Sequence, residues 1–158
     1  MAISKTNASN IAKFYLSKGS MTPKKLQKIL YFAYSWYMAI MNEEDEINVK
    51  LFDGPFEAWI HGPVYPPIYR EYKSYRADMI PKIENFVPSD LNLEDIEVLE
   101  NVWDVYGGYT ANELESISHQ HDPWKLTRLN NDCNELSWCN GEIKDELIYN
   151  YYVKQMEV

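Results

Sequence analysis

The chain has 158 residues, of which 46% are hydrophobic, 15% aromatic and 25% charged, the make-up of one folded domain rather than a disordered tail. Fifteen basic against twenty-four acidic side chains leave a net charge of −9, which disfavours a broad surface for DNA or RNA, because such affinity comes largely from Lys and Arg displacing counterions from phosphates. The longest apolar run, "ILYFAYSWYMAIM", is too short to span a bilayer and no signal-type run opens the chain, so a cytoplasmic protein without a membrane partner is expected.

The predicted elements are mostly helices with readable ends. An amphipathic segment covers roughly Ala8 to Ser17. In "MTPKKLQKILYFAYSWYMAIM", Thr22 is an N-cap, Pro23 takes the first helical position, where its missing N–H costs nothing, and Met21 and Leu26 are placed as a hydrophobic staple. Leu26, Leu30, Ala33, Tyr37 and Ile40 recur at helical spacing, with Ile29 and Trp36 widening the stripe, which predicts the central buried helix. "FEAWI" is bounded by Asp53-Gly54-Pro55 and His61-Gly62-Pro63 and reads as an extended segment between turns. Pro66 and Pro67 then launch a helix carrying Ile68, Tyr69, Tyr72 and Tyr75. In "LNLEDIEVLENVWDVYGG", Asn92 and Asp95 form the cap, Leu91 and Ile96 the staple, and Ile96, Leu99, Trp103 and Tyr106 the predicted core stripe, stopped by Gly107 and Gly108. "YTANELESIS" repeats that grammar, with Thr110 and Glu113 as capping box and Tyr109 and Leu114 as staple. Asp122 caps a short helix before Pro123, and "EIKDELIYNYYVKQ" closes the chain with Ile143, Leu147 and Tyr151 on one face. The expected fold is therefore mainly α: a single compact helical domain over residues 1–158 with a small β element, a strand or hairpin near residues 55–65.

Three blocks carry a resemblance. "LQKILYFAYSW", then "FEAWIHGPVYPPIYREYKSY", then "VWDVYGGYTANELESISHQHDPW" with a terminal "I…YY" segment, resembles the Panacea domain, the antitoxin-associated family that includes SocA-like and GepA-type phage-associated proteins. The match runs from about Thr22 to Tyr152, with its blocks in family order. The resemblance implies a mainly helical antitoxin of a two-gene toxin–antitoxin system, often carried by prophages and mobile elements, that neutralises its toxin by protein contact or delivers it to a protease. The family pattern falls on Lys25, Leu26, Gln27, Lys28 and Tyr31, on Glu57, Ala58, Trp59, Gly62, Pro63, Val64 and Tyr69, and on His119, Pro123 and Trp124, and implies no catalytic role for any of them. His121, a second histidine in "SHQHDPW", departs from that pattern and takes no role from it. Outside the shared domain the chain adds mainly residues 1 to 21, so partner choice is expected on the domain surface or in that segment.

The residues with chemistry to offer also have plainer readings. Glu57, among apolar neighbours, is either a general acid or base or, more often for such a residue, a satisfied polar bridge to Lys28, Gln27 or His119. Lys24, Lys25 and Lys28 sit in the first turns of a helix, where the macrodipole favours acids; they mark a contact with an acidic partner or nucleic acid, or pair with the run Glu43 to Glu46. His119, His121, Asp122, Cys133 and Cys139 are the best zinc candidates, yet Cys-x5-Cys is not a usual ligand pair; no metal and no cofactor is expected. Two cysteines make no disulfide framework, and a cytoplasmic chain normally keeps them reduced. No nucleophile elbow or phosphate-cradling glycine pattern occurs, so the chain is not expected to be an enzyme.

Tyr65, Tyr69, Tyr72 and Tyr75 exceed what one face of a short helix buries, and exposed tyrosines are typical interface anchors. With Lys24 they form the expected docking site for the toxin encoded nearby. The alternative is a phage-encoded regulatory or counter-defence protein that binds a host protein or DNA and has no toxin of its own. The sequence leaves the oligomeric state open.

Overall fold

The computed structural model describes residues 2–134 and 136–157; Met1 of the N-terminal segment, Glu135 and Val158, which the expected 1–158 domain also includes, lie outside the described residues. Among the described residues the elements run β1 (Ile3–Ser4), α1 (Ala8–Leu16), α2 (Pro23–Met41), β2 (Val49–Lys50), β3 (Phe56–Trp59), β4 (Gly62–Val64), α3 (Pro66–Tyr72), a 3-10 turn (Lys73–Tyr75), α4 (Leu93–Tyr106), α5 (Ala111–Gln120), α6 (Asp122–Asn130), β5 (Glu142–Ile143) and α7 (Asp145–Met156). The fold is mainly α, with two small sheets.

Helix α2 is the axis. Thr22 Oγ1 accepts from the Lys25 N–H at 3.2 Å and Pro23 occupies the first turn. Beyond that turn the helix is enclosed on nearly all sides, packed by α1, α4, α5 and α7, as expected of a helix that is apolar all round. Its Tyr31, Tyr34 and Tyr37 are fully buried, and Phe32 stacks on Tyr106 of α4 at 4.1 Å between ring centres. Tyr37 donates to Asp95 Oδ1 at 2.7 Å, and the same buried carboxylate closes the α4 capping box by accepting from the Asn92 N–H at 3.0 Å, so one aspartate fixes two helices to each other.

Strand β3 alternates as its period of two requires: Phe56 and Ala58 are buried, Glu57 and Trp59 half-buried. It pairs antiparallel with β4 on one side, joining Glu57 to Val64 and Trp59 to Gly62, and with β5 on the other. Gly62 has φ +105°, and a Cβ there would meet Lys28 Cε at 2.7 Å and Ser118 Oγ at 3.0 Å. Only glycine suits both the turn and the close approach of α2.

Several expected details differ. Ile143 lies on β5, because Glu142–Ile143 completes the free edge of β3; the buried face of α7 is consequently Ile148, Tyr149 and Tyr152, with Leu147 and Tyr151 only half-buried. On α4 the buried stripe is Val98, Leu99, Val102 and Tyr106, one position away from Ile96 and Trp103, which are half-buried. Ile40, near the end of α2, is exposed, lining a shallow cleft beside Val98, Val102 and Val105 of α4. His121 rather than Asp122 takes the cap position of α6, with Asp122 and Pro123 inside its first turn. The parallel pair β1–β2 had no signal in the sequence, since two-residue strands show no periodicity.

Candidate functional site

The residues that carry the family resemblance converge on the β3–β4 hairpin. Lys28 Nζ donates to the Pro63 carbonyl at 3.0 Å. Gln27 brackets Tyr65, accepting from its N–H at 2.7 Å and donating to its carbonyl at 3.2 Å, so two successive α2 side chains hold the exit of β4. From the other side, Trp124 donates its indole N–H to the Trp59 carbonyl at 2.7 Å while stacking on His119 at 3.8 Å between ring centres. Tyr31 meets Phe56 edge-on beneath the hairpin. Lys25 faces elsewhere, donating to the Gly107 carbonyl at 2.6 Å and lying over the Trp103 ring.

The partners expected of Glu57 are not the ones it has. Its carboxylate accepts from the Trp59 indole N–H at 2.8 Å, two residues along the same strand, while Lys28 and Gln27 are engaged by backbone and His119 by Trp124. Strand alternation explains this: Glu57 shares a face with Trp59, opposite the buried Phe56 and Ala58. The lysines of the first α2 turns likewise do not reach Glu43 to Glu46, which lie beyond the far end of the helix. Lys24 bonds Asn112 at 2.8 Å and pairs with Glu115 of α5.

Lys28 is the electrostatic exception. Its side chain is 1% exposed, and burial first, then repulsion from Lys24, pushes the ammonium down to about 7, against a smaller opposing pull from Glu115. At Glu115 burial works toward protonation, but the bonds and charges of Lys24 and His61 prevail and hold it below the usual carboxylate range. His119 titrates below the usual histidine range, mainly through burial, with Glu115 opposing and Lys28, Arg128 and His61 reinforcing.

The residues weighed as zinc candidates are dispersed. His119 stacks on Trp124, His121 Nδ1 is 2.8 Å from the Tyr152 hydroxyl, and no group of three or more His, Cys, Asp or Glu side chains gathers among the described residues. Contrary to the expected reduced thiols, Cys133 and Cys139 are joined in a disulfide, with Cα atoms 6.1 Å apart, inside the range such a bond spans. Beside it Arg128, a buried guanidinium, donates to the Ala58 carbonyl at 2.8 Å and the Asn134 carbonyl at 2.7 Å and also to that of Ser137, the last two being residues that lie between the cysteines in the sequence. Nothing local in the sequence distinguishes Arg128; its role appears only when β3 and α6 meet.

On the outer side of the hairpin cluster lies a groove of about 410 Å³ between the first turns of α2, the hairpin and α3. Leu26, Val64 and Ile68 form its buried apolar floor, Trp59, Tyr69 and Tyr72 its aromatic wall, and Lys24, Lys28, His61, Lys73 and Arg76 its polar margin. Tyr69, 42% exposed, packs edge-on against Trp59. Of the other expected anchors, Tyr75 is exposed on the 3-10 turn beside Tyr72, and Tyr65 turns away, its ring against Phe52 and Phe56 and its hydroxyl bonded to the Asp53 carbonyl at 2.6 Å. Lys73 and Arg76 were missed, although Tyr69, Tyr72, Lys73 and Arg76 follow helical spacing and signalled one face.

Fold and groove together define a mainly helical domain whose signature residues gather around one hairpin. Residues 26–125 match the family described as Antitoxin SocA-like, Panacea domain, and the chain belongs to that family. Over 134 residues it is 28% identical to Antitoxin SocA of Caulobacter vibrioides (strain NA1000 / CB15N), covering 76% of this chain and 68% of that protein. No solved structure matches the chain. No helix among the described residues is long and apolar enough to cross a membrane.

Proposed function

We propose that this protein is a cytoplasmic antitoxin that neutralises a toxin encoded beside it, on a prophage or other mobile element, by direct contact through the α2–α3 groove. Family membership supports the antitoxin role, and with it a binding regulator rather than a catalyst. The observation that carries the location is the aromatic wall: the exposed Tyr69 and half-buried Tyr72 stand over an apolar floor. Large aromatics in a concave site are the usual anchors of protein interfaces. The test is genetic and biochemical. The adjacent reading frame is expected to be lethal alone and harmless with this chain, and its product to co-purify with it in stoichiometric amount. Toxin that persists when neutralised indicates masking; toxin that disappears indicates delivery to a protease. Recovery of host proteins or DNA alone, with no lethal neighbour, would favour the regulatory alternative instead.

A further inference from the structure

The groove is chemically unlike the rest of the molecule. In a chain of net charge −9, the exposed Lys73 and Arg76 line one cleft with Lys24, His61 and the buried Lys28, and none of the described residues lining it is acidic. Glu115 behind the margin pairs with Lys24 and His61, but Lys73 and Arg76 make no ion pair among the described residues. The margin also receives the N-terminal end of α2, whose first turn holds no acidic side chain, so the positive end of the helix dipole adds to the cations. Arg76, which lines the groove, has φ +54°, a conformation costly for a residue other than glycine.

The floor decides between two kinds of polyanion. Leu26, Val64 and Ile68 are buried aliphatic surface, suited to apolar side chains and poorly suited to phosphates, and the overall acidity repels a nucleic-acid backbone. Apolar anchors flanked by carboxylates satisfy both the floor and the rim.

Resting on the reading that this groove is the antitoxin's docking face, we infer that its occupant is an acidic amphipathic segment of the toxin, with large apolar side chains on the Leu26–Val64–Ile68 floor and Asp or Glu against Lys73 and Arg76. Lys73 and Arg76 supply steering and register; Tyr69 and Tyr72 supply the anchor contacts. Complementary charge across the rim predicts fast, salt-sensitive association, which a purely apolar dock would not show.

The experiment uses the full-length chain and the product of the adjacent toxin gene, with overlapping peptides of that toxin as probes. Binding is measured by fluorescence anisotropy at low and high salt for the wild type and for K73E/R76E, two exposed positions whose exchange leaves the core intact. One acidic, apolar-containing peptide is expected to bind the wild type, to weaken by at least about tenfold on K73E/R76E, and to weaken similarly with salt. Exchanging its Asp and Glu for Lys is expected to restore binding to K73E/R76E. If the full-length toxin binds wild type and K73E/R76E equally, the inference is overturned while the antitoxin reading stands. If the toxin does not bind at all, both fall. Binding of the groove by single-stranded oligonucleotide, or self-association lost in K73E/R76E, also overturns it.

Discussion

The tyrosines of α2 and those of α3 are the same residue under opposite constraints. Tyr31, Tyr34 and Tyr37 lie where α1, α4, α7 and the β3–β5 sheet close over one helix; Tyr31 packs on Phe56 and Tyr152, Tyr34 on Phe52 and Phe56, and Tyr37 is bonded to Asp95. Burial drives the phenols of all three well above the ordinary tyrosine range, so they stay protonated. Tyr69, Tyr72 and Tyr75 sit on a short helix and turn that packs on one side only, and no later element returns to cover them. The difference teaches that aromatic content in this chain divides into scaffold and docking surface by layer.

The sharpest way to break that division is Tyr34→Ala, which removes a fully buried ring and the bond to Asp145 Oδ1 at 2.6 Å; a loss of about 3–5 kcal/mol in denaturant unfolding is expected. Gly62→Ala attacks the hairpin that both regions share. The positive φ and the clash with the enclosed Lys28 stem should cost about 2 kcal/mol, read as a drop in Tm.

Lys28 gives a pH signature. Its folded value of about 7 lies below the ordinary 10.5, so between those values the unfolded chain binds more protons and stability must rise with pH. From about pH 7 to about pH 9 the expected gain is about 1 kcal/mol per pH unit, and Lys28→Met should flatten it. Below that window the contribution is at its minimum, because both states are protonated. The smallest effect on stability belongs to α3: Tyr69→Ala is expected to change unfolding by less than about 1 kcal/mol, since the residue is exposed and packs chiefly on Trp59.

Much of the fold was legible because its helix ends follow local chemistry. Thr22, Asn92 and Thr110 cap as their side chains dictate, and the Asn92 and Thr110 capping boxes form as their spacing requires. The hairpin was legible as a turn-bounded β element, but the role of β5 was not, because Ile143 continues the apolar periodicity of α7 across an element boundary. The site was half visible. The tyrosine surplus after Pro66 pointed to a surface, whereas which rings face the groove depends on Tyr65 turning inward to Phe52 and Phe56, a tertiary choice no local pattern encodes. Lys28 illustrates the same limit: in sequence it is one of several lysines near a helix start, and only the approach of Pro63 and Gly62 makes it a buried amine.

The most direct test of the central claim is the affinity of the co-encoded toxin for the folded double variant Tyr69→Ala/Tyr72→Ala, measured beside the wild type by calorimetry. The account predicts at least about a tenfold loss of affinity, with growth protection lost in parallel and the unfolding midpoint little changed. Unchanged affinity in a variant that remains folded would contradict it and move the docking face away from the α2–α3 groove.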